Sequence, residues 1–331
     1  MSDGVQDPET TGPWAWAARA ARLIMGKAAP ALGLVLLFIY FGATTDRFLS
    51  PNNQIATTVQ IAVVALLAIG ETFVIVSGGI DLSVGSVLAL SGVVTALLLS
   101  EDHFNQPVIV GVAAGIGVGA LCGLINGLLV TKAKLPPFIV TLGMMGICRG
   151  FAKIPTDGQT IAGLPDAFNA LGADRIFGNT IPIPIVILAV VALVSFFVLR
   201  YTRLGRYCYA MGSNWEAARL SGVNVNAHMT AVFVICGTLA GLAGVVQTAR
   251  LGIGQPTGGI AYELDSIAAA VIGGASLMGG IGTISGTMLG AFIMAELRNG
   301  CDLKNVSTHW QEVVIGAAIV FAVLLDRIRQ K

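Results

Sequence analysis

Residues 107–131 read PVIVGVAAGIGVGALCGLINGLLVT, and no charged residue interrupts the stretch. Glycine returns every fourth position, at 111, 115, 119, 123 and 127. About 20 mainly apolar residues suffice for a helix to cross a bilayer, and residues four apart share one helix face. The stretch therefore predicts a membrane-crossing helix whose glycine stripe lets a neighbouring backbone approach closely. Gly282, Gly286 and Gly290 repeat the device. Such a stripe marks a buried helix and says nothing of what the protein moves or binds.

Composition extends that reading to the whole chain. Of 331 residues 55% are hydrophobic and 11% charged, with a mean hydropathy of +0.82; soluble domains carry roughly 25% charged residues. So little charge cannot coat a water-soluble enzyme, and disordered chains are poor in apolar residues rather than rich. A net charge of +1 leaves no nucleic-acid footprint. The apolar runs are continuous, whereas a membrane barrel alternates every second residue. The fold class that remains is an all-α polytopic membrane protein. The 42 glycines fit its close-packed helices. The five cysteines, Cys122, Cys148, Cys208, Cys236 and Cys301, show no disulfide or zinc spacing and read as packing residues.

Ten stretches reach or approach span length: 28–45, 55–77, 80–100, 107–131, 137–152, 181–200, 229–250, 263–279, 283–299 and 309–326. Three are irregular. The second and third meet at Ser77-Gly78-Gly79, the fifth is short and ends at Arg149, and Gly279-Gly280-Ile281-Gly282 divides the 263–299 region. Broken or re-entrant helices near 78–81 and 279–282 are therefore expected, within eight to ten spans. Cytoplasmic loops of membrane proteins collect Lys and Arg. With the N-terminus inside, 12 of the 19 basic residues fall on the cytoplasmic side and 7 on the other, with Arg200, Arg203 and Arg206 as the densest group. Both termini are expected in the cytoplasm. Residues 1–27 read as a cytoplasmic tail with Trp14 and Trp16 at the interface, and 28–327 as the transmembrane domain. The first apolar run is span-length, longer than a signal peptide's core.

A charged side chain at membrane depth is a functional hypothesis by default, since its insertion costs at least ~2.5–3.5 kcal/mol. Glu71 lies within AIGETFVIVSGG and Asp81 within SGGIDLSVGS. Gly78 and Gly79 permit a break, and Asp81 with Ser83 can satisfy the donors of a restarting helix. The alternative is that these groups line a solute path. Asn126 and Gln247 pose the same choice. Glu263 and Asp265 in YELD suit the positive end of a helix dipole. No catalytic constellation appears: His103, His228 and His309 have no metal spacing, and no GxSxG elbow or GxxxxGK[ST] phosphate loop occurs. ATP, if used, must be bound by another chain.

The longest basic loop, 201–228, reads YTRLGRYCYAMGSNWEAARLSGVNVNAH. Ser213 or Asn214 can cap a short helix and Gly222 can end it. Between them Glu216, Ala217 and Ala218 offer a shallow face to a partner's groove. Glu-Ala-Ala-x-x-x-Gly in this setting resembles the coupling motif of bacterial ABC-importer permeases. The segments 78–85, TRLGRY at 202–207 and QPT…YELDSIAA…GG at 255–274 narrow the resemblance to the ribose permease family, over about 48–326. The resemblance implies about ten spans in a fold similar to the vitamin B12 importer permease, in the inner membrane. It further implies a second permease copy or relative, cytoplasmic ABC ATPases on the coupling loop, a periplasmic sugar-binding protein and a small sugar as substrate. The chain itself would be no enzyme and hold no cofactor. A branched-chain amino-acid permease is the nearest alternative, and a self-contained secondary transporter would leave the coupling loop without a purpose. Neither the sugar nor the choice of homo- or heterodimer is written in the residues.

Overall fold

The computed structural model describes residues 15–176 and 180–329. Among them the chain forms thirteen α-helices and one two-stranded hairpin: α1 Ala15–Thr44, α2 Pro51–Val76, α3 Val84–Leu99, α4 Val108–Thr131, α5 Pro137–Lys153, α6 Asp166–Ala173, β1 Arg175–Ile176, β2 Ile181–Pro182, α7 Ile183–Tyr201, α8 Arg203–Ser213, α9 Trp215–Leu220, α10 Val225–Leu251, α11 Tyr262–Ile272, α12 Ile284–Leu303 and α13 Thr308–Arg329. Strands β1 and β2 pair antiparallel, Arg175 opposite Pro182. Trp14 and Lys331 lie outside the described residues. Among those residues five helices are long and apolar enough to cross a membrane, namely α2, α4, α5 with its 3₁₀ extension, α7 and α10. The fold is that of a polytopic helical membrane protein.

Burial follows composition. In α2 every residue from Ile61 to Val76 is buried, as expected of a helix apolar all round, and it forms the centre of the bundle. The stripe on α4 meets α10. Ideal Cβ atoms on Gly119 and Gly123 would strike the carbonyl oxygens of Gly237 and Phe233, and one on Gly237 would strike that of Gly119. The α4–α10 seam is thus glycine against glycine. The cysteines are free, and those at 122, 148, 208 and 236 are buried; the Cys122 and Cys148 thiols touch at 3.6 Å between α4 and α5.

Each of the ten expected stretches coincides with a helix, with two adjustments. The 263–279 stretch holds only the 11 residues of α11, about 16 Å at 1.5 Å per residue, and cannot cross alone. Residues 252–261, between the expected stretches 229–250 and 263–279, run back into the bundle beside α3, with Gly254 against Ala96 and Gly259 against Gly85. Backbone without helical bonds at that depth needs partners. Arg149 supplies them by donating to the carbonyls of Pro256 and Gly258 at 3.0 and 2.7 Å. The residue that ends the short fifth stretch therefore reaches across to a re-entrant segment.

Candidate functional site

Helix α2 ends at Val76, and the chain turns at Gly78, whose φ of +86° is disfavoured for any residue with a Cβ. The amides of Gly78 and Gly79 bond back to the carbonyls of Ile75 and Val74 at 2.9 Å each, and Gly79 packs tightly on Val74 and Met229. The chain then climbs beside its own last turn. Glu71 Oε1 accepts the N–H of Asp81 at 3.0 Å. Asp81 Oδ1 accepts the N–H of Ser83 at 2.9 Å and its hydroxyl at 2.5 Å. Asn126, from α4, donates to Ser83 Oγ at 3.0 Å. All four side chains are at most 1% exposed. Thus Glu71, Asp81, Ser83 and Asn126 meet in one buried network. Asp81 sits two residues ahead of the N-cap Ser83, so it is not the cap itself and serves the restarting helix by holding the cap residue. Gln247 is apart from this network, its Oε1 accepting from Arg250 at 3.1 Å.

A second break, 273–283, meets the first. The N–H of Gly280 donates to the carbonyl of Val76 at 2.9 Å, and Thr72 and Thr287 share a hydroxyl contact of 2.6 Å across α2 and α12. Gly212, near the end of α8, fits between the breaks: a Cβ there would strike Val76 O and Gly280 N. The Tyr209 hydroxyl donates to Gly282 O at 2.7 Å. Both broken segments therefore rest on α8. Gly212 and Tyr209 escaped the sequence reading because small or aromatic residues on an amphipathic helix carry no signal of what they touch.

Beyond α8 the chain makes the short helix α9. Asn214 Oδ1 caps it by accepting the N–H of Ala217 at 2.9 Å. At its other end Gly222 takes φ +85°, and the amides of Gly222 and Val223 bond to the carbonyls of Arg219 and Ala218 at 3.1 and 3.2 Å. This is the glycine-ended closure in which the two residues after the cap satisfy orphan carbonyls. Glu216 and Arg219 form an exposed pair one turn apart, and the guanidinium holds the Glu216 carboxyl below the usual carboxylate range. One expectation is corrected. Ala217 is exposed but Ala218 is buried, packed with Met211 and Val225, so the two alanines do not form one outward face. What α9 presents outward is Trp215, Glu216, Ala217, Arg219 and Leu220, the last 76% exposed.

Glu263 and Asp265 stand in the first turn of α11, at the positive end of its dipole as expected, and the Asp265 carboxylate also accepts from Arg298 of α12 at 2.7 Å.

Residues 53–323 match the family described as the permease component of the branched-chain amino acid transport system. The chain belongs to this permease family. The ribose import permease protein of Escherichia coli K12 is 42% identical over 303 residues, 90% of this chain and 93% of that protein. That of Bacillus subtilis 168 is 42% identical over 304 residues, 92% and 94% of the two chains. An L-arabinose ABC transporter permease protein of Azospirillum brasilense is 36% identical over 302 residues, 90% and 88%. No solved structure matches. The permease is a multi-pass transport subunit of an ABC importer.

Proposed function

We propose that this permease forms, with a second copy or a related permease, the path of a binding-protein-dependent importer for a small monosaccharide. ATP is hydrolysed by cytoplasmic subunits docked on α9. The substrate class rests on the relatives, whose names specify ribose, allose, L-arabinose and fructose. The coupling role rests on one observation, the seating of α8 between the two helix breaks. A push on α9 passes through its cap at Asn214 into α8, and from Gly212 and Tyr209 into Val76, Gly280 and Gly282. The Glu71–Asp81 network braces the first break from behind.

Helices α1 to α5, α7 and α10 to α13 provide ten crossings, α11 with its broken continuation counting as one, in an arrangement similar to the vitamin B12 importer permease. Alternating directions put both termini, α8 and α9 in the cytoplasm of an inner-membrane protein and the loops 100–107 and 154–182 outside. The tail before residue 28 lies on the cytoplasmic side in this reading, its second half continuing into the membrane as part of α1.

Leu220, not Ala218, tests the docking face. Burying a leucine contributes about 1.5–3 kcal/mol, so Leu220→Asp is expected to weaken ATPase association roughly 10- to 150-fold without unfolding the bundle. Ala218→Trp would disrupt the Met211–Val225 contact and loosen α9 itself. Co-purification of the ATPase and sugar-stimulated hydrolysis are the measurements. Unchanged association with Leu220→Asp removes α9 from the interface. Uptake of a branched-chain amino acid in preference to any monosaccharide replaces the substrate class.

A further inference from the structure

A pocket lies between α2, α11 and α12, with Gln60, Tyr262, Asp265, Arg298, Asn299 and Asp302 lining it among apolar residues such as Ile61, Val64 and Met294. It sits at the opposite end of these helices from the two breaks. Helix α2 enters the pocket in its first half and meets a break after Val76, α11 starts in the pocket and ends at the second break, and α12 runs the reverse way. Whatever occupies the pocket therefore contacts the same three rods that reach α8 at their far ends.

The open valences define the occupant. Arg298 already spends its charge on Asp265 Oδ1, and Asp302 Oδ1 accepts from Gln311 at 2.7 Å. Asp265 is 4% exposed, yet its Oδ2 has no hydrogen-bond partner. The buried Asn299 amide nitrogen reaches the Glu296 carboxyl without a hydrogen bond of good geometry, and an amide nitrogen has a second N–H to give. An acceptor and a donor thus stand unfilled, with the exposed Gln60 amide and the Tyr262 phenol beside them. Buried polar atoms left so cost free energy, which a hydroxyl can recover because it donates and accepts at once. An anion meets two carboxylates against one guanidinium, and an apolar side chain fills none of the valences. The pocket holds about 60 Å³, room for several waters and so for the hydroxylated edge of a ring.

We propose that this pocket is a sugar-contact subsite on the outer half of the translocation path, taking vicinal hydroxyls of a neutral monosaccharide between Asp265 and Asn299. The inference rests on the monosaccharide-importer reading and names where that solute is held.

The test uses the permease assembled with its ATPase and binding protein in vesicles, reading monosaccharide taken up per ATP hydrolysed. Asn299→Leu removes the buried donor, and Gln60→Leu alters only the exposed rim should the first variant assemble poorly. Losing one hydrogen bond in transit is expected to lower that ratio about threefold to tenfold in either variant. A merely structural role lowers uptake and hydrolysis together; a wild-type ratio in the assembled variants overturns the subsite while the importer reading stands. A wild-type complex that moves no monosaccharide overturns both.

Discussion

Asp81 and Glu71 lie against each other in the interior, and among the described residues no cation pairs with either. What holds them is hydrogen bonding: Asp81 receives both the amide and the hydroxyl of Ser83, and Glu71 receives the Asp81 amide. The energetics divide by substitution. Asp81→Ala leaves the Ser83 amide without its acceptor, which costs about 1–3 kcal/mol. Asp81→Asn keeps an amide oxygen in the same place and removes one of two neighbouring buried carboxyl groups, so it is expected to lose less than half as much. Apparent unfolding temperatures of the detergent-solubilised complex give the ranking. An Asn variant as damaged as the Ala variant, or one that assembles stably yet moves no sugar, shows that the charge itself is required. At this scale the local part was readable, because a carboxylate two residues before a serine at a helix start has few other partners. Asn126 was not, since its meeting with Ser83 depends on how α3 and α4 pack. Gln247, equally polar and also buried, is bound to Arg250 one turn away, which is why residue type alone separates the two amides poorly.

Helices in lipid gain nothing from hydrophobicity by leaving lipid for a neighbour, so close fit decides which of them pair. The α4 stripe displayed that fit in the sequence, but its partner did not show itself. Gly237 and Gly241 of α10 supply the other half of the seam, a single spacing of four that blurs among other small residues, while Gly244 packs on α3. Half-helices were legible as glycine clusters, whereas the re-entry at 252–261 was not, because its cue is one arginine on a different helix. The seam makes a sharp comparison within one helix. A methyl on Gly119 would run into backbone atoms of Gly237 and Gly241, while one on Gly117 meets nothing within 4 Å. Backbone cannot step aside as a flexible side chain can. Gly119→Ala is therefore expected to separate α4 from α10, costing the 1–3 kcal/mol of an overpacked core or more, with loss of assembled protein. Gly117→Ala is expected to be neutral or to stabilise by up to about 1 kcal/mol, the helix preference of alanine over glycine. The yield of monodisperse complex and its thermal midpoint measure both. Equal tolerance of the two would mean that the seam is looser than its glycines imply.

Across the whole molecule the irregular elements gather at two ends. At one, the breaks after α2 and α11 converge on α8 and α9. At the other, the amide of Ile161 bonds to Gly254 O at 2.9 Å and the Ser100 hydroxyl donates to Ala162 O at 2.9 Å, tying three loops together. The proposed orientation puts the first end in the cytoplasm, and the packing would give it a purpose, since there a docked ATPase would press on a segment that touches both breaks. Sidedness is therefore the point on which the coupling scheme stands. Ser221 and Gln159 are exposed at the two ends, and neither takes part in the seam, the buried network or the pocket. In a chain with its five cysteines replaced, a membrane-impermeant maleimide is expected to label Gln159→Cys in intact spheroplasts and Ser221→Cys only in inside-out vesicles. Both variants should retain uptake, so that labelling reports the working topology. The opposite pattern would place α9 away from any source of ATP. Helices α8 and α9 would then face the delivering protein, and the push would have to enter through the loops at the Ile161–Gly254 end, away from the contact of α8 with both breaks.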